Sequence, residues 1–272
     1  MTHEDTISSV QNPLIKHILQ LLEKRKARYI EGEFFIEGTT ITRLASSSDI
    51  RLVMRCDALV GPEGQELVES LADVIDCVEV SEDVFRRISQ RNNPDGVAAI
   101  CTIRHCSLDE YRPIDGEIVV ALDRVSDPGN LGTILRTLDA AGDTSVILVG
   151  KSTDPYHPRT VRASRGTIFT VPTLRAENVS DVAAWAKRYD RTLVATSAHA
   201  TRPYWDCELV SPIVVLFGNE HAGLSPEDIG FAELSAVIPM SGAASSLNLG
   251  IAIGLLVYEI KRQRSALDAN DP

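Results

Sequence analysis

The chain has 272 residues, 44% of them hydrophobic and 24% charged, with a formal net charge of −11 at pH 7. That length suits one large domain or two ordinary ones, and the negative balance argues against a protein that coats nucleic acid indiscriminately, a mode that needs a broad cationic surface. No apolar run reaches the roughly 18 residues of a membrane span, and the N-terminus MTHEDTISSV has neither the basic start nor the apolar core of a secretory signal, so a cytoplasmic protein is expected. Five cysteines (Cys56, Cys77, Cys101, Cys106 and Cys207) are scattered without CxxC spacing, which indicates neither a disulfide framework nor a metal site.

In the first third, Leu14, Ile15, Ile18, Leu19 and Leu22 fall at helical spacing and predict one amphipathic helix over 12–29, with Asn12 as its N-cap and Pro13 at its first position. Lys16, Lys24, Arg25, Lys26 and Arg28 face only Glu23 there. That basic side reads either as a solvated face or as one turned to RNA. A strand at 34–36, a helix from Thr39, a strand at 50–55, a helix at 63–72, a strand near 78–80, a helix opened by Ser81 and a strand at 96–103 follow. Helices alternating with strands over about 100 residues describe a small α/β domain with its own core. Residues 104–115 read as a linker, which gives an expected division into 1–106, a linker at 107–116 and a second domain at 117–272.

The second domain opens on a buried-type strand at 117–122, which delivers a polar loop at 123–130. A helix at 131–141 stops at Gly142, and a strand follows at 145–149. Gly150-Lys151-Ser152 is not the end of a P-loop, because Ser145 stands where the first glycine belongs. Arg159, Arg162 and Arg165 recur at three-residue spacing with no acid between them. A short strand is expected at 167–171, an amphipathic helix at 179–189 with Trp185 in the core, and buried strands at 193–197 and 213–217. A Gly-flanked turn at 218–225 leads into a short helix from Pro226. The final ordered stretch is predicted as a strand at 237–240 ended by Pro239, a small-residue loop at 241–246, and a long helix capped by Ser245 or Ser246 and running through Leu247. Residues 267–272 read as a frayed tail.

Three loops at strand C-terminal ends thus carry the unusual polar residues, and in an open parallel sheet ligands bind outside such ends. Arg136 lies among apolar residues of the first helix, as a snorkelling arginine or a functional one. Glu220 sits in the Gly-flanked turn, either capping backbone or serving a site; His221 beside it is a general base or, as lone loop histidines usually are, simply solvated. Asn248 is expected one turn inside an apolar helix, where a buried amide needs either a structural network or a substrate. No GxSxG, HExxH or GxGxxG is present, so hydrolase, zincin and ordinary dinucleotide readings lack their chemistry.

Three motifs stand in order: Asn130-x-Gly132-x-x-x-Arg136, then Phe217-Gly218-Asn219-Glu220-x-x-Gly223-Leu224, then Ile238-Pro239-Met240-x-Gly242-x-x-x-Ser246-Leu247-Asn248. With Val161-Arg162-Ala163-Ser164-x-Gly166, they resemble the SpoU, or TrmH-like, family of S-adenosylmethionine-dependent RNA ribose 2′-O-methyltransferases in the SPOUT superfamily. Asn12-Pro13-x-x-Lys16, Phe34-x-x-Glu37-Gly38 and Asn93-Pro94-x-Gly96-Val97 are similar to that family's L30e-like RNA-binding domain. One departure is Gly250, where many members carry a serine.

The resemblance implies an α/β chain whose C-terminal SPOUT domain has a parallel sheet and a trefoil knot, preceded by the smaller L30e-like domain. It implies S-adenosylmethionine as cofactor, held around Thr196, Gly218, Ile238, Met240 and Leu247. Arg136 would activate or grip the reacting ribose, with Asn130, Glu220, Ser246 and Asn248 orienting arginine, ribose and donor. RNA contacts are expected from Lys16, Lys24, Arg25, Arg28, Arg162 and Arg165. The implied partners are RNA, ribosomal before transfer RNA, and a second copy of the chain that completes the site. A ribosome-associated RNA-binding protein with a decayed site is the alternative.

Overall fold

The computed structural model describes residues 6–268, which group into two units: one of residues up to Arg104 together with Tyr156–Thr170, the other of His105–Pro155 with the chain from Val171 onward. In the first unit the elements run α1 (Pro13–Glu23), α2 (Arg25–Glu31), β1 (Glu33–Glu37), α3 (Thr39–Leu44), β2 (Ile50–Arg55), α4 (Pro62–Leu71), β3 (Cys77–Glu79), α5 (Glu82–Ile88) and β4 (Val97–Thr102). The sheet has the order β1-β4-β2-β3, with β4 antiparallel to both neighbours and β2 parallel to β3. Because side chains alternate along a strand, β1 sends Phe34 and Ile36 to one face and Phe35 to the other. The first pair packs with Ile41 and Val68, while Phe35 packs with Ile15, Ile18 and Phe85. Helices therefore cover both faces of this sheet.

The helix expected over 12–29 is two helices. Lys24 is extended (φ −117°, ψ 113°) and ends α1, so the basic run belongs mainly to α2 rather than to the back of α1. Asn12 caps α1 as expected, accepting the Leu14 N–H at 2.8 Å.

The second unit contains β5 (Ile118–Asp123), α6 (Pro128–Ala141), β6 (Thr144–Val149), β7 (Thr173–Ala176), α8 (Val179–Arg188), β8 (Thr192–Thr196), β9 (Ile213–Phe217), α9 (Pro226–Gly230), β10 (Leu234–Ala236) and α10 (Leu249–Asp268). Its strands are all parallel, in the order β10-β8-β9-β5-β6-β7. From β5 the chain winds outward to β6 and β7, then crosses to β8 and returns β9 against β5. The C-terminal ends of β5 and β9 thus lie where the winding reverses, the place at which open α/β sheets bind ligands. One face is covered by α8, whose Val182 and Trp185 pack on Val119, Leu193 and Val214. Along α6, Leu131, Ile134, Leu135 and Leu138 are buried, and α10, whose Ile253, Leu256, Val257 and Ile260 are buried, packs against it.

Several local expectations shift. Helix α6 starts at Pro128, three residues early, because Asp127 accepts the Asn130 N–H at 2.8 Å and Pro128 supplies the fixed first φ. Residues 167–171 form turns rather than a strand, and the strand expected at 237–240 is β10, ending at Ala236. The stretch 107–116 is fastened to the second unit: Leu108 is buried in its core, Tyr111 stacks on Trp185 at 6.4 Å, and the Tyr111 hydroxyl donates to the buried Glu117 carboxylate at 2.6 Å. Residues 267 and 268 still belong to α10; the rest of that expected tail lies outside the described residues.

The segment Tyr156–Thr170, which includes α7 (Pro158–Ser164), belongs to the first unit. Tyr156 and Phe169 both pack on Phe34, with ring centroids 4.7 and 5.8 Å away.

Candidate active site

The loops that leave β5 and β9 meet at Glu220. One carboxylate oxygen of Glu220 accepts from the backbone N–H and the hydroxyl of Ser126, each at 3.3 Å, and the other accepts from the Asn130 side-chain amide at 3.3 Å. The Asn130 carbonyl oxygen accepts from the Asn248 amide at 3.0 Å. A single chain of hydrogen bonds therefore ties the loop after β5, the turn after β9 and the start of α10. Burial pushes the Glu220 carboxyl up, but bonds from its own backbone N–H, from Asn130 and from the Ser126 and Asp127 backbone outweigh it and hold the group below its ordinary value.

The turn carrying Glu220 is built on itself. Asn219 accepts the N–H groups of His221 and Ala222 at 2.9 and 3.1 Å and donates to the Arg124 carbonyl at 2.8 Å. A Cβ at position 218 would lie 2.3 Å from the Gly223 carbonyl carbon and 2.4 Å from the Leu224 nitrogen, so only glycine lets the turn close. His221 is exposed, as expected of a solvated histidine.

Asn248 is not one turn inside the helix. It stands at the N-cap of α10, exposed, with its side chain accepting the Gly250 N–H at 2.9 Å and its carbonyl accepting from Ile251 and Ala252. The physical reason is that Asn satisfies an orphan donor of the first turn at least as well as serine. Ser245 and Ser246 are left on the preceding loop. A Cβ at Gly250 would sit 3.3 Å from the Asn248 side-chain oxygen and 3.6 Å from Thr133, so a larger residue would press on this cap.

Beside the hydrogen-bonded chain lies a cavity of 480 Å³, lined by all five residues expected around a methyl donor, Thr196, Gly218, Ile238, Met240 and Leu247, and by Glu220 and Ser246. Phe217, Leu224 and Leu249 add apolar wall. The Thr196 hydroxyl donates to the Leu216 carbonyl at 3.0 Å and so joins β8 to β9 at the cavity edge. Small polar groups on an apolar lining, with backbone brought close at Gly218, fit a purine nucleoside carrying a polar tail.

Arg136 is exposed on α6, roughly 9 Å along the axis from Asn130. It makes no hydrogen bond or ion pair among the described residues and is not part of the Glu220 chain. Lys16, Lys24 and Arg25 are exposed in the first unit, as are Arg162 and Arg165. Arg28 is a correction: it is 2% exposed, and its guanidinium donates to the Leu21 carbonyl at 2.6 Å, so it anchors α2 beneath α1 instead of facing a ligand. The break at Lys24 turns it inward. Sequence reasoning missed Ser126 and Asp127; the Asp127-Pro128 pair is a helix-start signal that could have marked them.

The family model described as the SpoU rRNA Methylase family matches residues 117–258, and the one described as the MRM3-like substrate binding domain matches residues 12–99. A 23S rRNA (uridine(2479)-2'-O)-methyltransferase of Streptomyces viridochromogenes is 31% identical, over 90% of this chain and 88% of its own. The 23S rRNA (guanosine(2553)-2'-O)-methyltransferase RlmP of Bacillus subtilis is 28% identical, over 94% and 98%. An AdoMet-bound rRNA methyltransferase from Sinorhizobium meliloti superposes with a TM-score of 0.85 at 37% identity, covering 95% of this chain and 97% of that one.

Proposed function

The chain belongs to the SpoU rRNA methylase family, and on that premise we propose that it methylates a ribose 2′-hydroxyl of ribosomal RNA, with 23S RNA as the first candidate. The observation that carries this reading is the hydrogen-bonded chain from Ser126 through Glu220 and Asn130 to Asn248, set beside a nucleoside-sized cavity. When bound, S-adenosylmethionine supplies an electrophilic methyl group. Thr196, Gly218, Ile238, Met240 and Leu247 would hold it, with Phe217 and Leu224 as apolar wall for its purine.

A ribose hydroxyl has a high pKa and reacts only when oriented and stabilised as it attacks. Arg136 acts by gripping the neighbouring phosphate and stabilising negative charge on the 2′-oxygen. Glu220 fixes the Asn130 amide, Asn130 fixes Asn248, and these two with Ser246 orient ribose and donor. Lys16, Lys24, Arg25, Arg162 and Arg165 bind phosphates, which position RNA without reading its sequence.

Ile251, Leu255 and Tyr258 are 56%, 37% and 52% exposed at i, i+4 and i+7 of α10, an apolar stripe that suits a second copy of the chain. Among the described residues no helix is long and apolar enough to cross a membrane. The reading extends to a cytoplasmic homodimer whose C-terminal segment is threaded as a trefoil knot.

Transfer of radiolabelled methyl to unmodified 23S RNA, 16S RNA and transfer RNA in parallel tests the reading. Label is expected in 23S RNA alone, at one site resistant to alkaline cleavage. Label confined to transfer RNA moves the substrate; donor binding without label in any free RNA points to an assembled particle. A chain that binds no donor is a binding protein, and the proposal fails.

A further inference from the structure

The first unit holds a second cavity, of 320 Å³, that the proposed chemistry does not use. Its floor is apolar, made by Leu22 of α1, Phe35 of β1, Ile41 of α3 and Val161 of α7. Its polar rim is Glu37 and Gln90, with Arg91, Arg162 and Arg165 around it. The three arginines are not equivalent. Arg91 is committed to the fold, donating to the Glu37 carbonyl at 2.7 Å and to the Asp95 carboxylate at 3.4 Å. Among the described residues Arg162 makes one bond, to the Gln90 carbonyl at 2.8 Å, out of the five its guanidinium can donate. Arg165 is exposed at the C-cap of α7, held there by a left-handed backbone with φ of 52°.

The rim is rigid. The Glu37 carboxylate accepts the Ser89 hydroxyl at 2.5 Å and the Gln90 N–H at 2.7 Å, so both oxygens fasten the loop that follows α5. A carboxylate offers about four acceptor positions, and two remain for a ligand. The arginines are equally well placed, because Tyr156 and Phe169 clamp the segment that carries α7 onto Phe34.

An apolar floor is no use to a free phosphate, and a guanidinium pair is no use to an apolar ligand. A nucleotide needs both. The volume is at the low end of small-molecule sites and too small for a duplex. Proteins read RNA chiefly through single unstacked bases set on apolar or aromatic surface, with phosphates held by arginine. We propose that this cavity receives one unstacked nucleotide of the RNA: its base lies on Phe35, Ile41 and Val161, its edge meets Glu37 and Gln90, and its phosphate lies on Arg162 and Arg165. The inference rests on the chain being an RNA methyltransferase and adds a second point at which it grips its substrate.

The test uses the full chain and fluorescence anisotropy with four labelled probes: the adenosine, cytidine and uridine pentanucleotides and a pentamer of abasic ribose. At least one base-bearing pentamer is expected to bind about tenfold more tightly than the abasic one, in keeping with the contribution of a single stacked base. Thr40→Met, at an exposed position on the cavity wall, should bring all four to the abasic level. Gln90→Ala should reduce the preference in the same direction, and Arg165→Ala should weaken all four probes alike. Equal binding of all probes to the wild-type chain, no binding of any probe, or full discrimination retained by Thr40→Met overturns the inference. Methylation of ribosomal RNA by the same wild-type preparation separates the two readings. If it persists, only the cavity's role is lost; if both methylation and donor binding are absent, the functional reading falls and this inference falls with it.

Discussion

Glu37 at the end of β1 and Glu220 just past the end of β9 each use both carboxylate oxygens to fasten a loop. Glu37 draws its donors from two adjacent residues, Ser89 and Gln90, and is 8% exposed. Glu220 draws its donors from the loop after β5 and from α6, is only half-buried, and is linked through Asn130 to an exposed Asn248. The first arrangement makes a fixed rim, because losing one donor leaves the neighbouring one in place. The second couples three segments far apart in sequence, so a change at one of them reaches the others. Coupling of that kind is what a site needs when ribose, phosphate and donor must be oriented together.

The largest effect is expected of Glu220→Ala, which leaves Ser126 and Asn130 without their acceptor. Methyl transfer should fall by roughly 10²–10³, the cost of removing one preorganised electrostatic element, with RNA binding little changed. Arg136→Ala should cost a similar factor while leaving thermal unfolding unchanged, since Arg136 makes no bond among the described residues; a wild-type rate for either variant removes that residue from the mechanism. Next in size is Gly218→Ala, whose Cβ would collide with the Gly223 and Leu224 backbone. Donor binding, followed by calorimetry, should weaken at least about tenfold.

The buried and exposed arginines of α2 should differ in stability. Arg28→Ala should lower stability by about 1–3 kcal/mol, because it empties a buried position and strands the Leu21 carbonyl, whereas Arg25→Ala should cost no more than about 0.5–1 kcal/mol, the worth of its exposed contact over the Tyr29 ring. Denaturant unfolding of the two variants side by side decides it.

The smallest effect is in pH. Glu220 has a carboxyl pKa lowered in the folded state, so its contribution to stability is fully present above the unfolded value of about 4.3 and is lost as pH falls through the lower folded one. Unfolding midpoints should therefore carry no Glu220 signature between about pH 6 and 8, and the wild type should lose more stability than Glu220→Gln on acidification below about pH 4. Parallel acid slopes for the two proteins would contradict the assigned hydrogen bonds.

Most elements were legible from local rules. The strand over Ile50–Arg55, the cap at Asn12, the stop of α6 at Gly142 and the buried Trp185 follow from alternation, capping and periodicity within a few residues. Glu220 and Asn130 were legible as candidates through motif spacing, and the contact between them required β9 to return beside β5. Arg28 misled because its burial depends on a break at Lys24, where nothing in the side-chain pattern interrupts a helix. Asn248 misled because the cap lies two or three residues past the serines expected to supply it, within the usual error of a helix boundary read from sequence.

By itself the sequence determined the family, the alternation of strands and helices, and the polar loops that would bear the site, because these depend on residue types at short, fixed spacings. The tertiary structure alone decided that Ser126 completes the Glu220 chain, that Arg28 is interior, and that Tyr156–Thr170 brings Arg162 and Arg165 to the cavity beside Glu37. The first and last of those outcomes are contacts between residues tens of positions apart, and the second turns on how α2 packs under α1. Such contacts are selected by which apolar faces can be buried together, a property of the packed chain and not of any window along it.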